Sequence, residues 1–487
     1  MNCSVRQFDM LACQRFSSSD HFTARSSVQK IFNLMLVQGI FVLGISLPGF
    51  AQTDLSGQQA YPSTYQAAEA TALVLRNATV LTGTGERLEA ADVAIRDGRI
   101  AAIGVDLANP DGSTEIDASG RWITPGIIDI HSHLGVYPSP GTQSHSDGNE
   151  MTSAATPEVW AEHGVWPQDP GFHTARAGGV TSLLVLPGSA NLFGGRGVVL
   201  KNVPAISYQG MKFPDAPHSL KMACGENPKR VYGSKGQSPM TRMGNVAGYR
   251  QQWIKAKKYL QEWREYEASD DEDAKPPQRD LAMETLAGVL RGDILIQMHC
   301  YRADEMMTIL DLAAEFGYKI TAFHHAVEAY KIADALAANN VCAAMWADWW
   351  GFKMEAYDGI MENVALVDRA DNSCAIVHSD SAEGIQRLNQ EAAKAMARGN
   401  RAGLTITPAE AMRWISLNAA RAMGIAEQTG SLEPGKNADV VVWNQNPFSV
   451  YALAEQVYID GALVHDRHDP KHQAVSDFML GQPATTE

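Results

Sequence analysis

Two imidazoles one residue apart end an apolar run in Thr124-Pro-Gly-Ile-Ile-Asp-Ile-His131-Ser-His133. Side chains at i and i+2 of a strand share a face, so both rings can hold one cation. The preceding Thr-Pro-Gly starts the strand sharply. A lone pair of this kind says little, because a neutral imidazole is also an ordinary buried polar group. Here, further candidates recur at the ends of other apolar runs. His299 closes Ile294-Leu-Ile-Gln-Met-His299, and His324 with His325 closes Lys319-Ile-Thr-Ala-Phe-His-His325. Asp380 closes Cys374-Ala-Ile-Val-His-Ser-Asp380 in the same way, with His378 on the same face. A carboxylate beside apolar layers is costly unless a cation or hydrogen bonds offset it. Its structural alternative is a helix N-cap for the following Ser381-Ala-Glu-Gly.

Such ends must be positioned by a scaffold. The chain has 487 residues, 45% hydrophobic and 20% charged, which suits one large core plus a smaller module. Residues 122–425 alternate apolar strands with helical segments, with strand ends near His133, Leu186, Lys201, Glu226, His299, His325, Trp346 and Asp380. Eight strands in a parallel β/α pattern predict a TIM (β/α)8 barrel, a fold of about 250 residues whose chemistry lies at the C-terminal strand ends. Residues 72–121 and 426–466 read instead as short strands, with hairpin turns at Asp97-Gly98 and Asp460-Gly461. These two segments should pair into one composite β-sandwich module, leaving residues 467–487 as a tail. Residues 251–267 read as a solvent-facing helix and 269–277 as a charged linker, both inserted between barrel strands.

The remaining features bound the setting. A net charge of -15 excludes a nucleic-acid partner and fits a small-molecule substrate. Lys30, the apolar run 31–47 and the small residues Gly49 and Ala51 form an export signal over residues 1–51, implying a periplasmic location. Once that signal is cleaved, no membrane insertion is expected. Cys224, Cys300, Cys342 and Cys374 show no disulfide-framework spacing and read as small unpaired buried hydrophobes. Whether the chain forms a homo-oligomer stays open.

Residues 72–465 resemble the amidohydrolase superfamily, and within it the imidazolonepropionase-like branch. The resemblance is carried by the Thr-Pro-Gly-Ile-Ile-Asp-Ile-His-Ser-His motif, Gly178-Gly-Val-Thr-Ser182, the late histidines, Ser379-Asp380 and Gly430-Ser-Leu-Glu-Pro-Gly-Lys-Asn-Ala-Asp439. It implies one or two divalent ions, usually zinc, held by His131, His133, His299, His325 and Asp380. His325 is preferred to His324 because the family ligand precedes a small residue, here Ala326. Ser219-Leu-Lys221-Met-Ala-Cys-Gly225 resembles a strand-four motif whose lysine is carboxylated, so Lys221 would supply a bridging carbamate, with Glu226 as the rival ligand. The implied reaction is hydrolysis of a carbon-nitrogen bond by a metal-activated water, with Asp380 accepting the proton and then delivering it to the leaving nitrogen. Lys229, Arg230 or Arg242 would hold a substrate carboxylate, or else form salt bridges within their loops. Ala347-Asp-Trp-Trp-Gly-Phe352 either walls the pocket or packs on the barrel rim. The alternative to an enzyme is a non-catalytic scaffold on the same fold.

Overall fold

Short strands from the two ends of the chain pair with one another. The computed structural model describes residues 60–349 and 351–472. The expected export signal and most of the tail lie outside the described residues. The first strands are β1 (Leu73–Leu81), β2 (Arg87–Arg96), β3 (Arg99–Gly104), β4 (Thr114–Asp117) and β5 (Trp122–Pro125). Next come β6 (Ile127–Ser132), β7 (Val180–Val185), β8 (Phe193–Lys201) and β9 (Ser219–Ala223). They are followed by β10 (Leu295–His299), β11 (Ile320–His324), β12 (Cys342–Met345) and β13 (Ala375–Val377). The last are β14 (Val440–Trp443), β15 (Ala454–Ile459) and β16 (Ala462–Asp466).

One sheet runs β16-β15-β14-β5-β1-β2-β3, with β4 pairing β1. Its joint is the antiparallel pair β5/β14, so Trp122–Pro125 lies in this sheet rather than in the barrel. The sheet curls until Ile100 N–H meets Lys436 O at 2.9 Å. Leu75, Val80, Val93, Ile95, Val440 and Val442 are then sealed inside as a core of its own.

The second sheet runs from β6 to β13 in chain order and forms the barrel. Its seam between β13 and β6 is bridged rather than directly laddered. Ile128 N–H bonds Ile415 O at 2.9 Å, Val377 N–H bonds Trp414 O at 3.0 Å, and Asp380 N–H bonds His131 O at 3.1 Å. Ile128, Ile130, Leu184, Val199, Ala344 and Ile376 form an apolar cluster with Ala419 and Ala420 from the helix Leu417–Ala422 and with Met423, which follows it.

Three expectations need correction. The barrel is not wholly parallel, because β8 runs antiparallel to both β7 and β9. Lys201 therefore ends at the closed side, where its ammonium is buried against Asp460 at 2.7 Å and Asp439 at 3.8 Å. Second, the helix Arg242–Glu267 does not simply face solvent, since Tyr249, Trp253, Ala256, Leu260 and Trp263 are buried along it. Third, the cysteines are paired. Cys224–Cys300 joins the ends of β9 and β10, and Cys342–Cys374 joins the starts of β12 and β13. Parallel neighbours bring these residues together although they are 76 and 32 positions apart. Sequence spacing carries no trace of that.

Candidate metal centre

Gly126 connects the two sheets, and a Cβ there would clash with the Thr181 side chain. The glycine of Thr-Pro-Gly is thus required by the close approach that launches β6. Along β6 the register against β7 slips between Asp129 and Ser132. Asp129 fills the irregularity, its Oδ1 accepting from His131 N–H at 3.1 Å and from Ser379 N–H at 3.2 Å. Bulges of this kind re-aim side chains next to active sites. Burial raises the Asp129 carboxyl to about 6, against the hydrogen bond from Ser379 and the backbone donors.

The structure brings His131, His133, His325, Asp380 and Lys221 together at the open end. His133 Nε2 lies 3.3 Å and His131 Nε2 3.6 Å from Asp380 Oδ1, and His325 Nε2 lies 3.7 Å from Asp380 Oδ2. Lys221 Nζ is 3.3 Å from His131 Nε2. His299 joins through its ring, 4.8 Å from that of His325. His325 and Asp380 have φ of 56° and 48°. Both sit just past a strand end in the left-handed region that residues other than glycine rarely adopt, a strain that clusters at functional sites.

The outer nitrogens of these rings are tied back, which decides what the inner ones offer. His133 Nδ1 donates to Leu186 O at 2.8 Å, leaving Nε2 with its lone pair toward Asp380. For His131 the argument runs through three side chains. Gln297 Nε2 donates to Ala422 O at 2.9 Å, so its Oε1 accepts from His324 Nε2 at 2.7 Å. His324 Nδ1 is then the acceptor for His131 Nδ1–H at 2.8 Å, and His131 Nε2 carries a lone pair. Ligating histidines are characteristically oriented this way. His325 Nδ1 meets His378 Nε2 at 2.8 Å.

Among the described residues two groups could hold an ion, His131-His325-Asp380 and His131-His324-His378, with ligand atoms within 4.8 Å of one another in each. Both nitrogens of His324 are engaged in hydrogen bonds, as is His378 Nε2, so the second group supports the first. His299 Nδ1 is buried with no hydrogen-bond partner, as a ligand nitrogen would be. The donor set thus fits a divalent cation.

Electrostatics agree with that fit. Burial pushes His131, His299, His324 and His325 well below the ordinary imidazole value, helped by nearby cationic groups, and takes His378 to about 4. These rings are therefore neutral and available as ligands or acceptors. Lys221 is pushed down to about 7 by burial, against the opposing pull of Asp380. Burial would raise Asp380, yet its contact with His133 and the nearby Lys221 ammonium hold it below the usual carboxylate range.

The other candidates fall elsewhere. Glu226 begins the helix Glu226–Gly233 and pairs with Lys353 at 3.6 Å. Lys229 and Arg230 ride on that same helix, with Arg230 exposed. Arg242 forms ion pairs with Glu305 at 2.9 Å and with Glu355, so its charge is met internally rather than kept for a substrate carboxylate. Asp129, Gln297 and Lys353 were given no role from sequence. For Asp129 the signal was an acidic residue inside an apolar strand, a position that demands partners.

A family model described as amidohydrolase family matches residues 122–464. The chain belongs to the amidohydrolase family. Over 375 residues, 73% of its length, this amidohydrolase is 34% identical to Amidohydrolase tasK of Hapsidospora irregularis. It spans only 38% of that relative. A 115-residue stretch, 24% of the chain and 19% of the relative, is 33% identical to an allantoinase of Escherichia coli. Among solved structures, an amidohydrolase from Thermotoga maritima MSB8 aligns with a TM-score of 0.74 and 36% identity, covering 81% of this chain and 100% of that one.

Proposed function

We propose that this amidohydrolase is metal-dependent and hydrolyses a carbon-nitrogen bond of an amide or peptide-like small molecule. The observation that carries the reading is the convergence of His131, His133 and His325 on Asp380, with the outer nitrogens of His131 and His133 committed to hydrogen bonds. His131, His133, His299, His325 and Asp380 would hold one or two divalent ions, zinc being the usual choice for such donors. A bound ion would lower the pKa of water and polarise the scissile carbonyl.

The chain's own groups supply the rest. Asp380, ionised at neutral pH, takes a proton from the attacking water and returns it to the departing nitrogen. Lys221, buried and within 3.3 Å of His131, is placed to add as a free amine to carbon dioxide, releasing one proton to solvent and becoming a carbamate anion that would offer two oxygens. His324, Gln297 and Asp129 hold the imidazoles and the seam in register.

Two disulfides suit an oxidising compartment and support the proposal that the chain is exported. No helix among the described residues is long and apolar enough to cross a membrane. The test is metal analysis of the purified chain with a screen of dipeptides, N-acyl amino acids and cyclic amides such as allantoin. Metal bound in stoichiometric amount and removable activity on one of these is the expected result. Protein that gains no activity with zinc, manganese or cobalt would favour the scaffold alternative.

A further inference from the structure

A cavity of about 420 Å³ opens beside Asp380 and is lined also by Tyr301, Trp346, Asp348, Trp349 and Phe352. That volume lies within the range of small-molecule sites, about 300–1,000 Å³. Four of these six residues are aromatic, and they continue a stack that begins at a candidate ligand. The rings of His325 and Trp346 are stacked at 4.4 Å, and those of Trp346 and Trp349 at 5.3 Å. Phe352 stands edge-on to Trp346 at 5.7 Å and to Tyr301 at 6.3 Å. Trp346 is anchored by its indole N–H, which donates to Ser379 O at 3.2 Å.

The outer rings are left wet. Trp349 is 43% and Phe352 57% exposed. Single exposed hydrophobes need no explanation, but here two large rings face the cavity that also contains the proton-transferring carboxylate. The cavity's other acid, Asp348, has its charge met by Lys394 at 2.9 Å. What complements such walls is a flat apolar group, which gains offset or edge-on ring contacts beyond simple burial. A small aliphatic group would leave the outer rings in water.

We propose that this cavity is a specificity pocket selecting amides that carry an aromatic ring next to the scissile bond, with Trp349 and Phe352 as the determining residues. The inference rests on the hydrolytic reading above for its chemistry, but not for its binding.

The experiment compares binding of benzoylglycine and acetylglycine to the full chain by calorimetry, with hydrolysis of both followed in parallel. Wild type should bind benzoylglycine at least tenfold more tightly, about 1.4 kcal/mol. Trp349→Ala and Phe352→Ala should reduce that ratio to about threefold or less, whereas Phe352→Tyr should retain it. Tyr451→Ala, a control on an exposed residue outside the cavity lining, should also retain it. Equal binding of the two probes by wild type, or a preference that survives both alanine variants, overturns the inference. Selective binding with no hydrolysis would uphold the pocket and sink only the hydrolytic reading. Turnover of aliphatic amides with no aromatic preference would do the reverse.

Discussion

Replacing Gln297 by leucine should weaken metal binding without touching any residue that would contact the ion. The amide does two jobs at once, donating to Ala422 O at 2.9 Å and accepting from His324 Nε2 at 2.7 Å. Leucine removes both bonds, each worth about 1 kcal/mol, and leaves the His324 N–H buried without a partner, costing about 1–3 kcal/mol. The folded state should therefore lose roughly 3–5 kcal/mol. The more telling loss is control over the ring of His131, since His324 is then free to turn or to change tautomer. Changes of this type outside the ligand set cost about 10–100-fold in metal affinity. Competition with a chromophoric chelator gives the affinity, and thermal unfolding of metal-stripped protein gives the stability. Gln297→Glu, which still accepts from His324, should lie between wild type and leucine. Zinc affinity of Gln297→Leu within twofold of wild type would show that the relay does not orient His131.

Asp380→Asn should keep the fold, because asparagine tolerates the left-handed φ of 48°, while turnover falls by about 100-fold or more; turnover above a tenth of wild type would remove Asp380 from proton transfer. Cys342→Ala with Cys374→Ala opens a loop closed across 32 positions, and denaturant unfolding should register a loss of about 3–4 kcal/mol. A midpoint unchanged by the double substitution would mean that this crosslink contributes nothing. His465 is pushed down to about 4 by burial and then by Arg467, His173 and Arg176. The unfolded chain takes up a proton as pH falls below about 6.5, whereas the folded one resists until about 4, so stability is whole at neutral pH and drains away across that interval. Tm measured between pH 7 and pH 4 should fall more steeply in wild type than in His465→Gln, and parallel slopes would contradict this.

The residues that end apolar runs could be read directly, because a histidine or aspartate closing a barrel strand has one place to point. What could not be read was anything set by neighbours distant in sequence. His324 and His325 are adjacent, and simple alternation would send them to opposite faces. The left-handed turn at His325 breaks that alternation, so one ring reaches Asp380 while the other lies against His131. Gln297 is an ordinary polar residue until Ala422 and His324 are placed on either side of it. Strand direction was equally hidden. The run Phe193–Lys201 is buried throughout, and nothing in its periodicity distinguishes an antiparallel strand from a parallel one. Its glycines are strand residues, with Gly195 paired across from Lys221.

The indole of Trp443 donates to the Thr124 hydroxyl at 2.9 Å, a bond between residues 319 positions apart. In chain order His131 and His133 come first, and the strand that braces their approach follows only after the whole barrel. Contacts of such long separation form late, after the entropy of closing the intervening chain has been overcome. Until Trp443 is in place, the Thr124 segment that leads into His131 and His133 lacks that brace.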